Sequence, residues 1–415
     1  MYFGWRMVAL AAFLYMLMMG TTYGAFGLFV IPVSDEFDLS RANMNSALIL
    51  FNIGTALLSP FIGRLLDRYP TRLIMAVSAI LFGASFVTLG FSQSIWVNAA
   101  ILVLPLGVAL PGAGTLTMSV LLARWFTIQR GRAMVLAAMG MSVGSIVVTP
   151  MVGWLIEEQG WRTALMAIGV IVGAILLVLS ALVRERPGPD DIESGSQQQA
   201  VNNSGGISTS PTSEKPLSVA TILKMPTFWT VGLSTALAMG ITQALSITFV
   251  PLGIDKGLSM MEATSLMSIT GAAAIIGMLG LSVVADKIDR TLLMTGFFTL
   301  GALLNATLLV SHSYIMLAGC AVILGIAAGA MAPIFYALLA DCFGTMSFGT
   351  VRGLTTPLLA LFSAAIVRFA GEVYDYTGNY QLLFTIFVFA ELLAALLMFA
   401  TRYGRSKALA AQPAG

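Results

Sequence analysis

Twelve stretches of this chain are apolar for long enough to cross a lipid bilayer. A hydrocarbon core about 30 Å thick needs about 20 apolar residues in a helix, and the windows 7–31, 44–66, 72–92, 95–123, 133–156, 162–183, 227–252, 262–285, 291–311, 314–339, 350–373 and 381–401 each supply them. Between the sixth and seventh windows the composition changes. Residues 187–216 are rich in Gly, Ser, Gln, Asn, Pro and acid, including Ser194, Gly195, Ser196, Gln197, Gln198 and Gln199, and have almost nothing to bury. That composition predicts a disordered linker. The pattern predicts an all-α membrane protein: a six-helix half at 1–186, a cytoplasmic linker at 187–226, a second six-helix half at 227–402 and a cytoplasmic tail at 403–415. The first window runs well past a signal-peptide core and has no small-residue cleavage site, so 1–31 reads as a retained span.

The halves read as repeats. Pro32 with Leu39 and Ser40 matches Pro251 with Leu258 and Ser259 at an offset of about 219 residues, and Ala123-Arg124-Trp125-Phe126 matches Ala340-Asp341-Cys342-Phe343 at about 217. Gly153 and Gly160 match Gly371 and Gly378 at about 218. Landmarks in one order at nearly constant spacing argue for duplication, and so for two pseudo-symmetric bundles. Two such bundles facing each other place a polar cleft at the bilayer midplane and permit rocking about it, which is the physical basis of alternating access.

Charge fixes the expected orientation, because Lys and Arg are retained on the cytoplasmic side. With both termini there, that face holds Arg6, Arg64, Arg68, Arg72, Arg124, Arg130, Arg132, Arg184, Lys287, Arg290 and Arg352 among others, and the opposite face holds only Arg41, Arg162 and Lys256. Composition agrees with the bilayer: 58% of residues are hydrophobic and 10% charged, where soluble domains carry about 25% charged residues. A net charge of +2 is too small to imply nucleic acid. Cys320 and Cys342, the two cysteines, read as packing residues rather than a disulfide scaffold. No Ser, His and Asp grouping and no metal-ligand spacing is present; the single His, His312, sits in a short outer loop where a solvated surface role is expected. Gly112-Ala113-Gly114 follows no strand and is no dinucleotide fingerprint. The residues point to transport rather than catalysis, with no cofactor.

Residues 63–72, Gly-Arg-Leu-Leu-Asp-Arg-Tyr-Pro-Thr-Arg, form a charged turn between two apolar runs. A second copy appears as Ala285-Asp286-Lys287-Ile288-Asp289-Arg290. Here the chain resembles the major facilitator superfamily, whose loop between helices 2 and 3 reads G-x-L-x-D-R-x-G-R-R; Pro70 stands where the family usually has Gly, and Thr71 replaces one basic residue. Further motifs resemble the monocarboxylate and oxalate-formate transporter branch: Tyr2-Phe3-Gly4-Trp5, Ala123-Arg124-Trp125-Phe126 followed by Arg130-Gly131, Gly160-Trp161-Arg162, and Phe228-Trp229. The similarity extends over nearly the whole chain apart from the linker.

The resemblance implies where to look. Members of the branch hold anions with an arginine in helix 8, a helix 7 histidine and, in oxalate carriers, a helix 11 lysine; the matching positions here are Met278, Thr248 and Leu359. All three ionic handles are missing, and an anion taken into a cleft without a cation bears an uncompensated desolvation cost. Spans 1, 4, 7 and 10 line the cavity in this superfamily, which makes Tyr23, Phe26, Thr115, Gln243, Thr248 and Tyr336 candidate solute contacts, with Asn52 from span 2. Two charges lie deep in the second half, Arg368 and Glu391. A charge at a helix centre costs roughly 2.5–3.5 kcal/mol on insertion scales, so each needs a reason. Either Arg368 meets a substrate carboxylate with Glu391 or Glu372 carrying a proton, or Arg368 and Glu372, one helical turn apart, form a structural pair. The loop residues Asp67, Arg68, Arg72, Asp286, Lys287 and Arg290 read as a cytoplasmic gate. The glycines Gly140, Gly144 and Gly153 of span 5, and Gly271, Gly277 and Gly280 of span 8, suit close helix approach.

The expectation is a monomeric secondary transporter of a plasma membrane, bacterial inner membrane first, that moves a small organic acid, with protons as a coupling ion suggested by the branch. An exporter of neutral or apolar compounds, and a transporter-like solute sensor, stand as alternatives.

Overall fold

The computed structural model describes residues 2–38, 41–185, 187, 188, 191, 217–311 and 313–410. At 31, 41–46, 48, 260, 264 and 402–410 the backbone alone is considered. His312 and the linker residues 192–216 lie outside the described residues.

Every regular element among the described residues is an α-helix: α1 Gly4–Thr21, α2 Phe26–Phe37, α3 Arg41–Arg68, α4 Thr71–Phe91, α5 Ile95–Val103, α6 Pro105–Ala113, α7 Thr115–Trp125, α8 Arg130–Leu182, α9 Val219–Lys224, α10 Pro226–Asp255, α11 Met260–Val284, α12 Arg290–Val310, α13 Tyr314–Phe343, α14 Phe348–Thr377 and α15 Gln381–Ala410. Among the described residues, eleven segments are long and apolar enough to cross a membrane. One of them, α8, has 53 residues, and Gly160 inside it sits at φ 77°. At 1.5 Å per residue α8 has well over twice the length that one crossing needs, and the glycine breaks it where the sequence separates the fifth and sixth windows. Large apolar side chains such as Trp154, Met261, Ile315 and Phe61 face outward, as a lipid solvent requires.

Two windows are less continuous than their hydropathy suggests. The first is α1 and α2, joined by a turn at Thr22, Tyr23, Gly24 and Ala25. Thr21 donates its hydroxyl to the Leu17 carbonyl at 2.7 Å and Thr22 bonds that of Met18, back-bonds that loosen a helix end. The fourth is α5, α6 and α7, interrupted at Leu104 before Pro105 and again at Gly114, whose φ and ψ are −110° and −132°. Elsewhere the ends are capped in ordinary ways. Ser259 and Glu262 form a capping box at α11, and the Asp289 carboxylate accepts from Thr291 and Leu292 N–H at the start of α12.

The chain divides into two compact units. The first is Met1–Leu217 with Leu339–Pro357, the second Ser218–Leu338 with Leu358–Gly415. Segment 339–357, the end of α13 and the start of α14, thus packs with the first unit although it lies far along the chain. In the first unit α8 packs on α1 and on α4. A Cβ at Gly140 or Gly144 would run into the Ala12 or Met16 carbonyl of α1, so these glycines are where α8 touches α1. Gly83 meets Gly169, and Gly107 meets Gly54, in the same small-residue manner. In the second unit α12 and α10 pack on α15 around Phe249, Leu304, Leu308, Phe384 and Phe387, and Gly277 lies against Ile326 of α13.

Candidate solute site

The charged turn after α3 holds segment 339–357 in place. Asp67 accepts hydrogen bonds from the N–H groups of Gly349 (2.9 Å) and Thr350 (2.6 Å), so its carboxylate sits on the first turn of α14, where unsatisfied donors and the helix dipole favour an anion. Arg130 Nη1 meets Asp341 Oδ1 at 2.5 Å, with the arginine side chain 6% exposed. Gly353 packs on the Ser59 and Pro60 backbone. Arg124 steadies the turn by donating to Thr71 Oγ1 (2.9 Å) and the Leu66 carbonyl (2.5 Å). Of the other expected gate residues, Arg72 donates to the Val183 carbonyl and Arg68 is exposed. In the second unit Asp286 pairs with Arg290 of its own turn at 2.8 Å, and Lys287 is exposed.

Behind this anchor the first unit contains a small cavity of about 90 Å³ whose polar groups sit in a mainly apolar surface, lined by Tyr15, Thr22, Tyr23, Thr55, Ser59, Thr115, Arg352 and Thr356 together with Met18, Met19, Leu110, Pro111, Leu116 and Met141. Arg352 is 5% exposed, and its Nη1 donates to Thr356 Oγ1 at 3.0 Å. Tyr15 donates its hydroxyl to the Thr115 carbonyl (3.2 Å) and Tyr23 donates to Asn52 Oδ1 (3.0 Å). Thr55 Oγ1 is buried without a hydrogen-bond partner. Turn and helix break set this chemistry: the Thr22–Ala25 turn brings Thr22 and Tyr23 to the cavity, and the Gly114 break brings Thr115.

A second, apolar cavity of about 390 Å³ lies in the same unit. Its lining includes Phe26, Phe29, Phe51, Phe86, Trp96 and Trp161, with Thr21, Thr22 and Asn98 as the polar members. Beside it Glu36 accepts from Arg162 (2.6 Å to Nη2) and from Trp161 Nε1 (2.9 Å), while Arg162 also donates to the Gly90 and Ser92 carbonyls. The Arg162 hydrogen bond and charge hold the Glu36 carboxyl below its ordinary value.

The structure therefore brings Tyr23, Asn52 and Thr115 together and places Phe26 in the apolar cavity. Gln243, Thr248 and Tyr336 belong to the second unit; Gln243 is exposed and Thr248 bonds back to the Ala244 carbonyl at 3.0 Å. Arg368 lines neither cavity: it is 82% exposed and pairs with Glu372 at 2.8 Å. Glu391 is not its partner. That carboxyl is 2% exposed, faces Gly301 of α12, and its Oε2 has no hydrogen-bond partner. The sequence reading missed Arg352, which it grouped with the cytoplasmic arginines. The available signal was local, a charge inside an apolar helix between Gly349 and Gly353, small residues that let another backbone come close.

Long lipid-facing helices, with cavities built from their kinks and turns, define a multi-pass integral membrane protein of the solute-carrier kind. The chain belongs to the Major Facilitator Superfamily, whose model matches residues 8–367. It is 25% identical to an uncharacterized MFS-type transporter, YcxA of Bacillus subtilis, over 94% of this chain and 93% of that one. It is 23% identical to monocarboxylate transporter 13 of Rattus norvegicus over 92% of this chain and 85% of the relative. Among solved structures, the human organic anion transporter MFSD10 superposes with a TM-score of 0.68 at 17% identity, covering 95% of this chain and 98% of that one.

Proposed function

We propose that the protein is a secondary transporter that moves a small organic acid across a bacterial inner membrane by alternating access. It has twelve crossings, α8 supplying two, and both termini on the cytoplasmic side. The observation that carries the reading is the buried guanidinium of Arg352 in a cavity otherwise lined by hydroxyls and apolar groups. It supplies the cation whose absence at Met278, Thr248 and Leu359 made a carboxylate hard to accommodate. Relatives named as monocarboxylate transporters support the same substrate class. Uptake of labelled organic acids into proteoliposomes tests it, and failure of every acid to accumulate or exchange would sink it.

Proton carriage is assigned to Glu391, a buried carboxyl lacking a full set of partners, rather than to Glu372, which is exposed and tied to Arg368. Glu391→Gln is expected to abolish accumulation driven by a pH gradient while leaving solute counterflow within about twofold, a split that a merely structural role would not produce.

The apolar cavity favours a second reading, export of neutral aromatic or aliphatic compounds, because its lining offers little polar surface. Efflux of a neutral aromatic dye at a rate unaffected by competing acids would select that reading.

A further inference from the structure

Resting on the organic-acid reading, we propose that the Arg352 cavity and the aromatic cavity of the first unit form one binding site for an amphipathic monocarboxylate. Its carboxylate lies at Arg352 and its apolar body in the aromatic cavity. The cavities share Thr22. They also meet at an edge-on ring pair, Tyr23 and Phe51, with centroids 5.2 Å apart; Tyr23 lines the Arg352 side and Phe51 the aromatic side.

Size and charge divide the labour. The Arg352 cavity, about 90 Å³, has the room of about three water molecules, enough for a carboxylate but not for an organic body. Among the described residues Arg352 is the one charged side chain in its lining, so a single carboxylate matches the charge of the lining and a second would enter without a cation. A guanidinium offers paired N–H donors that match a carboxylate. The aromatic cavity, about 390 Å³, takes the remainder, where each buried methylene strengthens binding by about fourfold.

The full-length protein in detergent, titrated with acetate, benzoate, benzamide and terephthalate, tests the assignment. Benzoate is expected to bind at least about tenfold tighter than acetate, and benzamide and terephthalate at least about tenfold more weakly than benzoate. Arg352→Gln should weaken benzoate by about tenfold or more without moving benzamide, with Arg352→Lys between. Should Arg352→Gln fail to fold, Thr115→Cys in a background lacking Cys320 and Cys342 provides a second readout: benzoate should shield the thiol from a maleimide and benzamide should not. Equal affinity for acetate and benzoate, unchanged benzoate binding in a folded Arg352→Gln protein, or no shielding at position 115 would overturn the shared site. If acids are still transported in those cases, the organic-acid reading survives; if no acid is bound or transported, both fall.

Discussion

Single carboxylates in this protein do work that depends on what surrounds them. Asp67 accepts two backbone N–H groups at the start of α14. Asp67→Asn keeps one acceptor and loses the charge, so it should cost about 1–2 kcal/mol, seen as a lower unfolding temperature in detergent. Glu36 is held below its ordinary value of 4.5 chiefly by its hydrogen bond with Arg162. A carboxyl depressed in the folded state contributes stability that is present above its unfolded value and disappears as pH drops through the folded one. The unfolding temperature should therefore decline more steeply as pH falls below about 4.5 in the natural protein than in Glu36→Gln. A flat difference across that window would show that the pair adds nothing. At this scale the sequence was partly legible. Tyr23 and Thr115 stood out as polar groups in apolar spans, whereas Arg352, just inside a predicted span, was counted only with the cytoplasmic face.

Helices were read well from hydropathy, since each crossing needs its length of apolar residues whatever its partners. Their interruptions were not. Thr22, Leu104 and Gly114 lie within unbroken apolar stretches, and hydropathy does not register a hydroxyl bonding to its own backbone or a proline beginning a new helix. Packing partners were equally hidden: Gly140 and Gly144 were marked for close helix approach, but nothing in their spacing says that the backbone they meet is that of α1. Gly144→Leu would drive its Cβ into the Met16 carbonyl, and overpacking of this kind costs about 1–3 kcal/mol or more. Membrane yield and unfolding temperature should both drop. Gly27→Ala, where nothing lies within 4 Å of the added atom, should leave both at or above their starting values.

Across the whole molecule, apolar length foreshadowed the membrane-length segments, eleven among the described residues where twelve windows were expected, and the charged turn at 63–72 foreshadowed the family. The same-side termini are a prediction. In a chain without Cys320 and Cys342, a cysteine at Ser194 or Ala410 should react with an impermeant maleimide only in inverted vesicles, and one at Gln93 only in right-side-out spheroplasts. The reverse pattern would turn the topology over. The assignment of 339–357 to the first unit bears on how such a chain can be cut. A gene split at the central linker would leave the first fragment without the stretch that meets Asp67 and Arg130, and the second with that stretch bare. Neither product should survive alone in a cell, and co-expression should rescue both through non-covalent reassembly during biogenesis.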